Sequence, residues 1–373
     1  MSSIKTVACF HIAYPDPNDF GRERQTLLVR IETDDGIVGW GESIAMWPEA
    51  CKATRVVIED GLTPLLVGAE ADPEILWNIM RRHVWWYGEG GIASLAISGI
   101  DMALWDIKGQ MAGKPLYRLF GGLRHERLPA CTSCHVNKGS EAERIAEVAG
   151  FFAAGFRSVK LGFGKKGLSD IGDDPDRIVG FVAALRRELG DDAEILVDIG
   201  NGIAWDVATA ADVANRLVAL GIGWYEEPLY PTDDDGHARL RQLTGIPIAA
   251  GEREFTAAGY RRMIRSGSVD ILGVDPARVE GITGFRAVDA LAGAAGLTMN
   301  AHAWSTAITS AASLHLSLAS PNTRLFEFKP FEVVVQTDLV ADRIWHDDGW
   351  ALPLEGPGLG ISVDEDVVRR LSR

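Results

Sequence analysis

Residues 195–206 read ILVDIGNGIAWD, residues 223–231 read GWYEEPLYP and residues 246–254 read IPIAAGERE. Each stretch contains a short apolar run, and helix-like segments separate the runs, as in buried parallel strands with crossover helices. An acidic residue ends each run: Asp198, Glu226 and Glu252. A carboxylate at the end of a buried strand needs a partner charge, because an isolated one loses several kcal/mol of solvation. The alternative is three solvated loop acids, but their common placement favours one shared cation, and all-oxygen ligands favour Mg²⁺ over zinc.

The same alternation of strand and helix continues from about residue 126 to residue 329. Eight apolar runs predict strands, at residues 128–134, 158–162, 194–200, 223–228, 246–252, 270–276, 297–302 and 323–328. This number and order favour a closed α/β barrel over an open sheet. The residues that end the second to eighth strands are Lys160, Asp198, Glu226, Glu252, Asp275, His302 and Glu327. We expect them around the C-terminal mouth, where barrel enzymes carry out their chemistry.

The first third of the chain has a different pattern. Residues 5–14 and 25–43 predict antiparallel strands, with a hairpin turn at Asp35-Gly36, and three helical segments follow. The tail begins with the strand-like VVVQT at residues 333–337 and ends in a short helix. We therefore expect an N-terminal capping domain at residues 1–125, completed by residues 330–373, and a catalytic barrel at residues 126–329.

Two loops of this capping region are candidates for ligand contacts. Residues 14–24 read YPDPNDFGRER, whose Pro, Asp, Asn and Gly residues predict a mobile loop. Arg22 and Arg24 could reach a ligand from this loop. Trp47 lies in the second loop, AMWPEA at residues 45–50.

Composition excludes several classes of function. The chain has 373 residues and a formal net charge of -15, which argues against nucleic acid as a partner because phosphates need a basic face. Its four cysteines are too few for a disulfide framework, and its first residues lack the basic-then-apolar pattern of a signal segment. No apolar run approaches the roughly 20 residues that a membrane helix requires. We expect a cytoplasmic protein that does not bind membranes.

Longer stretches carry a resemblance to a known family. They are SGIDMALWDIKGQMAGKPLYRLFGG at 98–122, WYEEP at 224–228, GE at 251–252, VDPARVEGITG at 274–284, NAHAW at 300–304 and GPGLGI at 356–361. Together they resemble the enolase superfamily and, within it, the mandelate racemase subgroup. The resemblance implies a modified (β/α)7β TIM barrel under an α+β cap, and we expect a homo-oligomer, a dimer or an octamer. It also implies Mg²⁺ held by Asp198, Glu226 and Glu252, an Asp275–His302 acid/base dyad, Lys160 as a polarising group and Glu327 beside a substrate carboxylate.

The chemistry of these residue types supports the implied roles. Removing a proton alpha to a carboxylate builds charge on a group that is already anionic, and a metal stabilises that charge where it develops. A lone histidine is more often structural than catalytic. At His302, however, Asp275 on the neighbouring strand end could hold the ring tautomer and favour the imidazolium, as an orienting group does for other bases.

Two positions depart from the pattern of the family. Its members commonly carry Lys-x-Lys at the second strand, whereas this chain has Lys160-Leu161-Gly162. The Asp-x-Asn of the third strand reads Asp198-Ile199-Gly200-Asn201 here, so Asn201 is a displaced candidate for a substrate contact. Inverting a stereocentre needs an acid and a base on opposite faces of the substrate, and glycine supplies neither. This favours beta-elimination of water over racemisation.

The predicted function is therefore an acid-sugar dehydratase, a carbon–oxygen lyase. A cycloisomerase that opens a sugar lactone by beta-elimination is the runner-up, and a racemase or epimerase comes third. The predicted substrate is an α-hydroxy carboxylate with several hydroxyl groups. Its candidate contacts are Trp47, Asn201, Arg22 and Arg24.

Three other functions are alternatives to this prediction. GFGKKG at residues 162–167 matches a dinucleotide-binding pattern but lacks the helix and the acid that should follow it. CTSCH at residues 131–135 matches a haem-attachment pattern, but on a strand its two sulfurs would face opposite sides. A metal-binding barrel without catalysis is the non-enzyme alternative. The presence of the three metal acids together with both dyad residues argues against it.

Overall fold

The polypeptide forms a three-stranded antiparallel sheet and a larger, mostly parallel sheet. The computed structural model describes residues 2–136, 139–164, 171, 174–200, 202–341 and 343–373. The strands are β1 (Ile4–Asp16), β2 (Arg22–Thr33), β3 (Val38–Met46), β4 (Leu128–His135), β5 (Ser158–Gly162), β6 (Glu194–Asp198), β7 (Tyr225–Glu226), β8 (Ile248–Ala250), β9 (Ile271–Val274), β10 (Thr298–Ala301), β11 (Phe326–Phe328) and β12 (Trp350–Ala351).

The helices surround the larger sheet and cover one face of the smaller one. They are α1 (Pro48–Val56), α2 (Thr63–Leu66), α3 (Pro73–Val84), α4 (Gly91–Ala112), α5 (Leu116–Leu119), α6 (Glu141–Ala153), α7 (Pro175–Leu189), α8 (Val207–Val218), α9 (Asp234–Leu243), α10 (Ala257–Ser266), α11 (Gly281–Ala295), α12 (Ala307–Ala319), α13 (Val334–Thr337) and α14 (Glu365–Leu371). A 3₁₀ turn at Pro17–Asp19 and a π-helical segment at Val57–Leu62 complete the set.

Helix α4 lies directly on strand β3 of the small sheet, and glycines make this close approach possible. A Cβ atom on Gly41 would lie 2.0 Å from the carbonyl oxygen of Gly99, and one on Gly39 would lie 2.2 Å from that of Ala103. Both distances are far below van der Waals contact, so only glycine fits at either position of β3. The predicted antiparallel strands are present, and this packing joins them to the long helix α4.

The larger sheet is the predicted barrel. Its strands follow the order β10-β9-β8-β7-β6-β5-β4-β11, each pair is parallel, and β12 adds antiparallel to β4. An isolated bridge between Met299 and Thr323 nearly closes the ring beside β10 and β11. One cluster of buried residues fills the interior: Cys131, Leu196, Trp224, Ala249, Ile271 and Leu325. The prediction of a modified TIM barrel with an α+β cap is confirmed.

The cap contacts the mouth of the barrel through a buried carboxylate. Glu42 on β3 is fully buried. Its oxygens accept hydrogen bonds from four hydroxyl groups, two of them on the turn that follows β10: Thr26, Ser305, Thr306 and Thr309. These donors replace the water that the carboxylate loses on burial. Glu42 therefore joins the cap to the C-terminal end of the barrel strands.

The structure corrects two expectations about the capping elements. The loop predicted at residues 14–24 is shorter, because β1 extends to Asp16 and β2 begins at Arg22. Asp16 is buried and accepts a hydrogen bond from Lys329 Nζ at 2.9 Å, which explains why this end of β1 is fixed. The strand suggested by VVVQT at residues 333–337 is wrong, because Val334–Thr337 form the helical turn α13. Its buried Gln336 donates to the carbonyl of Ser305 at 2.8 Å, a contact that ties the turn to the barrel.

The haem-like pattern CTSCH at residues 131–135 lies on strand β4. Cys131 belongs to the barrel interior, while Cys134 belongs to the outer layer of apolar residues between strands and helices. The two thiols thus face opposite sides of the strand, as alternation requires. All four cysteines are free and buried. Among the described residues, no helix has the length and apolar character needed to cross a bilayer.

Candidate active site

A cavity of about 180 Å³ opens at the C-terminal mouth of the barrel, beneath the cap. The barrel side of its wall includes Lys160, Asp198, Glu252, Asp275 and His302. The cap contributes a further group: Arg24, Ile44, Met46 and Trp47. Residues that the sequence pattern placed at successive strand ends therefore meet in one enclosed space.

Three carboxylates form the predicted acidic cluster. One oxygen from each of Asp198, Glu226 and Glu252 lies within 4.8 Å of the others. Strand alternation explains two of the three positions, because Leu196 and Trp224 lie in the barrel interior and Asp198 and Glu226, two residues further on, point the same way; Glu252 follows the end of β8. The adjacent Glu227 has a φ of 41° and pairs instead with Arg253.

The electrostatics of this cluster disfavour the anionic forms of Asp198 and Glu226, whereas, against the effect of burial, His302 and Arg253 lower the pKa of Glu252 to about 2. Burial, reinforced by the Glu226 carboxylate, raises the pKa of Asp198 well above its usual value. Burial also raises the pKa of Glu226 to about 7, although Lys160 acts in the opposite direction. Hydrogen bonds to Glu226 come from Lys160 Nζ at 3.2 Å and from Trp224 Nε1 at 3.0 Å. The protein groups alone thus leave a strong demand for positive charge.

Lys160, in the middle of β5, lies between two carboxylates. Its Nζ is 3.2 Å from Glu226 Oε1 and 2.9 Å from Glu327 Oε1. Burial favours the neutral amine, but these two acids outweigh it and raise the pKa of Lys160 well above its usual value. The side chain is therefore an ammonium. Glu327 also accepts from Asn300 Nδ2, and its Oε2 has no hydrogen-bond partner in the described part of the chain.

His302 and Asp275 meet as a hydrogen-bonded pair. His302 Nδ1 lies 2.6 Å from Asp275 Oδ2, and the backbone N–H of Ala277 donates to Asp275 Oδ1 at 2.7 Å. The other ring nitrogen, Nε2, lies 3.8 Å from Glu252 Oε2. Burial favours the neutral ring, but Glu252 and Asp275 outweigh it and raise the pKa of His302. The imidazole is oriented on one side and open to the acidic cluster on the other.

The predicted substrate contacts have different surroundings. Trp47 is 58% exposed and lines the mouth of the cavity. Arg24 also lines it, but its Nε lies 3.2 Å from Asp19 and 3.4 Å from Asp16, so its charge is already paired. Arg22 is exposed and is not part of the lining. Asn201 lies outside the described residues, as do positions 165–167 of the dinucleotide-like GFGKKG.

The sequence analysis did not predict three basic side chains of the cavity wall. Arg253 and Arg278 line it, and Arg253 Nη2 lies 3.4 Å from Glu252 Oε1. The signal for Arg253 was its position directly after Glu252. The third is His135, at the end of β4, which the sequence pattern presented only as part of a haem-like motif.

Comparison with known families gives a clear assignment. Residues 19–121 match the N-terminal domain of mandelate racemase and muconate lactonizing enzyme, and residues 143–367 match the enolase C-terminal domain-like family. The chain belongs to the enolase superfamily, in its mandelate racemase subgroup. The family predicted from the sequence motifs is confirmed.

Individual relatives of this superfamily are similar over nearly their whole length. An arabinonate dehydratase of Saccharolobus solfataricus is 30% identical, with 98% of each chain aligned. The crystal structure of the 3,6-anhydro-D-galactonate cycloisomerase from Zobellia galactanivorans has a TM-score of 0.89 and 29% identity, and the match covers 100% of this chain and 99% of that one. A racemase from Streptomyces coelicolor with bound magnesium has a TM-score of 0.88 and 28% identity, covering 99% and 100%. The dehydratase and cycloisomerase names agree with the predicted enzyme class, a lyase with an isomerase as the alternative.

Proposed function

We propose that this enolase-superfamily protein is a Mg²⁺-dependent acid-sugar dehydratase. The observation that carries the proposal is the position of His302. Its Nδ1 is held by Asp275, while its Nε2 lies 3.8 Å from Glu252 in the acidic cluster. A substrate carboxylate held at that cluster would bring its alpha carbon within reach of a base that is already oriented.

The donor set fits Mg²⁺. Asp198, Glu226 and Glu252 would hold the ion through carboxylate oxygens, the ligands that this cation prefers. A contrast within the molecule supports this assignment. The equally buried Glu42 is satisfied by hydroxyl donors, whereas Lys160 and Trp224 are the only hydrogen-bond donors to Glu226 among the described side chains. When bound, the metal would stabilise the negative charge that develops on the substrate carboxylate.

The protein residues would then divide the proton transfer between them. His302 Nε2 takes the proton from C2 of the substrate, and Asp275 stabilises the imidazolium that forms. The Lys160 ammonium lies beside the acidic cluster. It would add positive charge near the substrate carboxylate as the enediolate forms. Arg253, also in the cavity wall, is paired with Glu227 and so holds that second acid away from the reaction.

The substrate proposed is a hydroxylated carboxylate, as expected from the polar lining and from the arabinonate and 3,6-anhydro-D-galactonate named for relatives. A cycloisomerase is the second candidate, because one of these relatives carries that activity in its name. Both reactions begin with loss of the C2 proton and break a carbon–oxygen bond at C3. The same residue set therefore serves either, and the leaving oxygen distinguishes them.

A panel of mono- and diacid sugars and their lactones tests the proposal. Purified protein with Mg²⁺ should convert at least one of them, and a semicarbazide assay should detect the 2-keto product of dehydration. Asp198→Asn provides the matched control, since it keeps the size of the side chain but loses a ligand charge. Activity restricted to aryl or amino-acid substrates would contradict the proposal.

A further inference from the structure

His135 occupies the space that a side chain at position 162 would need. A Cβ atom built on Gly162 would lie 2.4 Å from His135 Nδ1 and 2.7 Å from its Cε1. The two residues are direct partners in the parallel register of β4 and β5. Although His135 belongs to β4, its ring therefore lies at the end of β5. His302 follows β10, which is three strands away when counted through β4 and β11 across the nearly closed edge of the barrel. Both histidines line the same cavity.

The ring of His135 is held in a defined orientation. Its Nδ1 lies 3.3 Å from the carbonyl oxygen of Gly162, and its ring is nearly perpendicular to that of Trp304, at a centroid distance of 5.3 Å. A carbonyl oxygen only accepts, so this contact places a proton on Nδ1. Nε2 is then the nitrogen that exchanges a proton with a ligand.

The capping region fixes the backbone that carries this ring. Asn18, which is buried, accepts from the backbone N–H of His135 at 3.0 Å and donates to the carbonyl of Ser133 at 3.2 Å. One side-chain amide thus pairs with two backbone groups near the end of β4, a carbonyl and an N–H. Asn18 is a positioning residue, and the pairing makes the placement of His135 depend on a docked cap.

We propose that His135 is the acid that protonates the leaving oxygen at C3. This role deepens the proposed function and rests on it. His302 Nε2 takes the C2 proton, and the electron pair of that bond passes through the enediolate into a C2–C3 double bond. The C3–O bond breaks, and its oxygen takes a proton from Nε2 of the His135 imidazolium. It departs as water or, in a cyclic ether, as the hydroxyl of the opened ring. The resulting enol becomes a 2-keto acid by exchange of protons with solvent.

The location of the ring favours this role over simple packing. A hydroxide ion is a poor leaving group, so elimination needs a proton donor near C3 as well as a base near C2. With His302 at one end of the cavity, a donor at the other end completes the requirement. Gly162 is the residue that makes room for it, because any larger residue there would meet the imidazole.

A change of leaving group tests the proposal. The probes are D-arabinonate, 3,6-anhydro-D-galactonate and 3-deoxy-3-fluoro-D-arabinonate, whose fluoride leaves without a proton. His135→Asn should lower loss of the C3 oxygen by about 10²- to 10⁴-fold, the usual contribution of a general acid, but spare most of the fluoride release. In D₂O the variant should return the substrate with deuterium at C2 and unchanged configuration, since His302 still serves one face. His83→Asn, on the exposed face of α3, is the matched control.

Gly162→Ala provides a second variant that leaves His135 in the chain. Its methyl group would displace the ring, so it should reproduce the selective loss for oxygen leaving groups. Equal losses for oxygen and fluoride, or none, in both variants would overturn the role of His135 while leaving the proposed function intact. A wild-type protein that converts no acid sugar would contradict the proposed function itself, and the role of His135 with it.

Discussion

The two histidines of the cavity differ in what holds them. His302 is hydrogen-bonded to the carboxylate of Asp275, which raises its pKa together with Glu252 and against the effect of burial. The Nδ1 of His135 lies 3.3 Å from the carbonyl oxygen of Gly162, and its ring packs nearly perpendicular to that of Trp304. A carboxylate both orients a ring and stabilises its imidazolium, whereas a carbonyl mainly orients it. We therefore expect His302, which is paired with a carboxylate, to abstract the first proton, and His135 to act later in the proposed reaction.

Removing the metal should have the largest effect, because it affects the chemistry at both ends of the cavity. Chelation and dialysis should abolish elimination of oxygen and fluoride alike, and Mg²⁺ should restore both. Calorimetric titration with Mg²⁺ gives a readout independent of turnover, in which Asp198→Asn, Glu226→Gln and Glu252→Gln should each weaken binding. Full activity after chelation would show that the acidic cluster needs no cation.

Removing the base at the His302 end should have the next largest effect. His302→Asn should reduce both C2 proton exchange and elimination by about 10²- to 10⁴-fold, since both need the same proton transfer. Unlike His135→Asn, it should also stop fluoride release. Exchange of the C2 proton and release of fluoride report the difference directly. If fluoride release survived in His302→Asn, another residue would be the base.

Replacing the charged partner of His302 should have a smaller effect. Asp275→Asn keeps the shape of the side chain but removes the charge that stabilises the imidazolium, so elimination should fall by about 10²-fold. The exchange rate at C2 should fall in parallel. A variant with normal exchange and slow elimination would instead connect Asp275 to the departure of the leaving group, and the contrast between the two histidines would fail.

A change at the cavity mouth should have the smallest effect. Trp47 is 58% exposed and lines the mouth of the cavity. Trp47→Ala should raise KM by about 2- to 10-fold with little change in kcat, because the ring contributes contact energy of about 0.5–1.5 kcal/mol to substrate and transition state alike. Trp86→Ala, which removes an exposed ring of the cap, is the control. A fall in kcat at constant KM would give Trp47 a part in the chemistry.

Much of the architecture could be predicted from local pattern. All eight parallel strands lie at the short apolar runs that predicted them, because a strand buried on both faces needs a nearly continuous apolar sequence. The helical turn at α13 could not be predicted in this way. Three consecutive valines favour a strand, but no strand of the described residues pairs with this segment, and Gln336 hydrogen-bonds to the barrel instead.

The candidate site shows the same limit of local pattern. The positions of Asp198, Glu226, Glu252, Asp275 and His302 followed from their strand ends. Gly162 suggested an empty space, since the sequence does not tell which neighbouring strand fills the room that a glycine leaves. The register of β4 and β5 places His135 there. The pairing of Arg24 with Asp16 and Asp19 likewise depends on a tertiary arrangement of the cap.

The most direct test of the account is the wild-type reaction in D₂O, followed to completion by NMR with the acid sugar that the protein converts fastest. We predict a 2-keto acid as the product and no epimer of the substrate, because His302 and His135 would act on different carbons. Recovery of the deuterated C2 epimer without any keto acid would contradict it. That result would mean that the two histidines exchange protons with the two faces of C2 and that the enzyme is a racemase or epimerase.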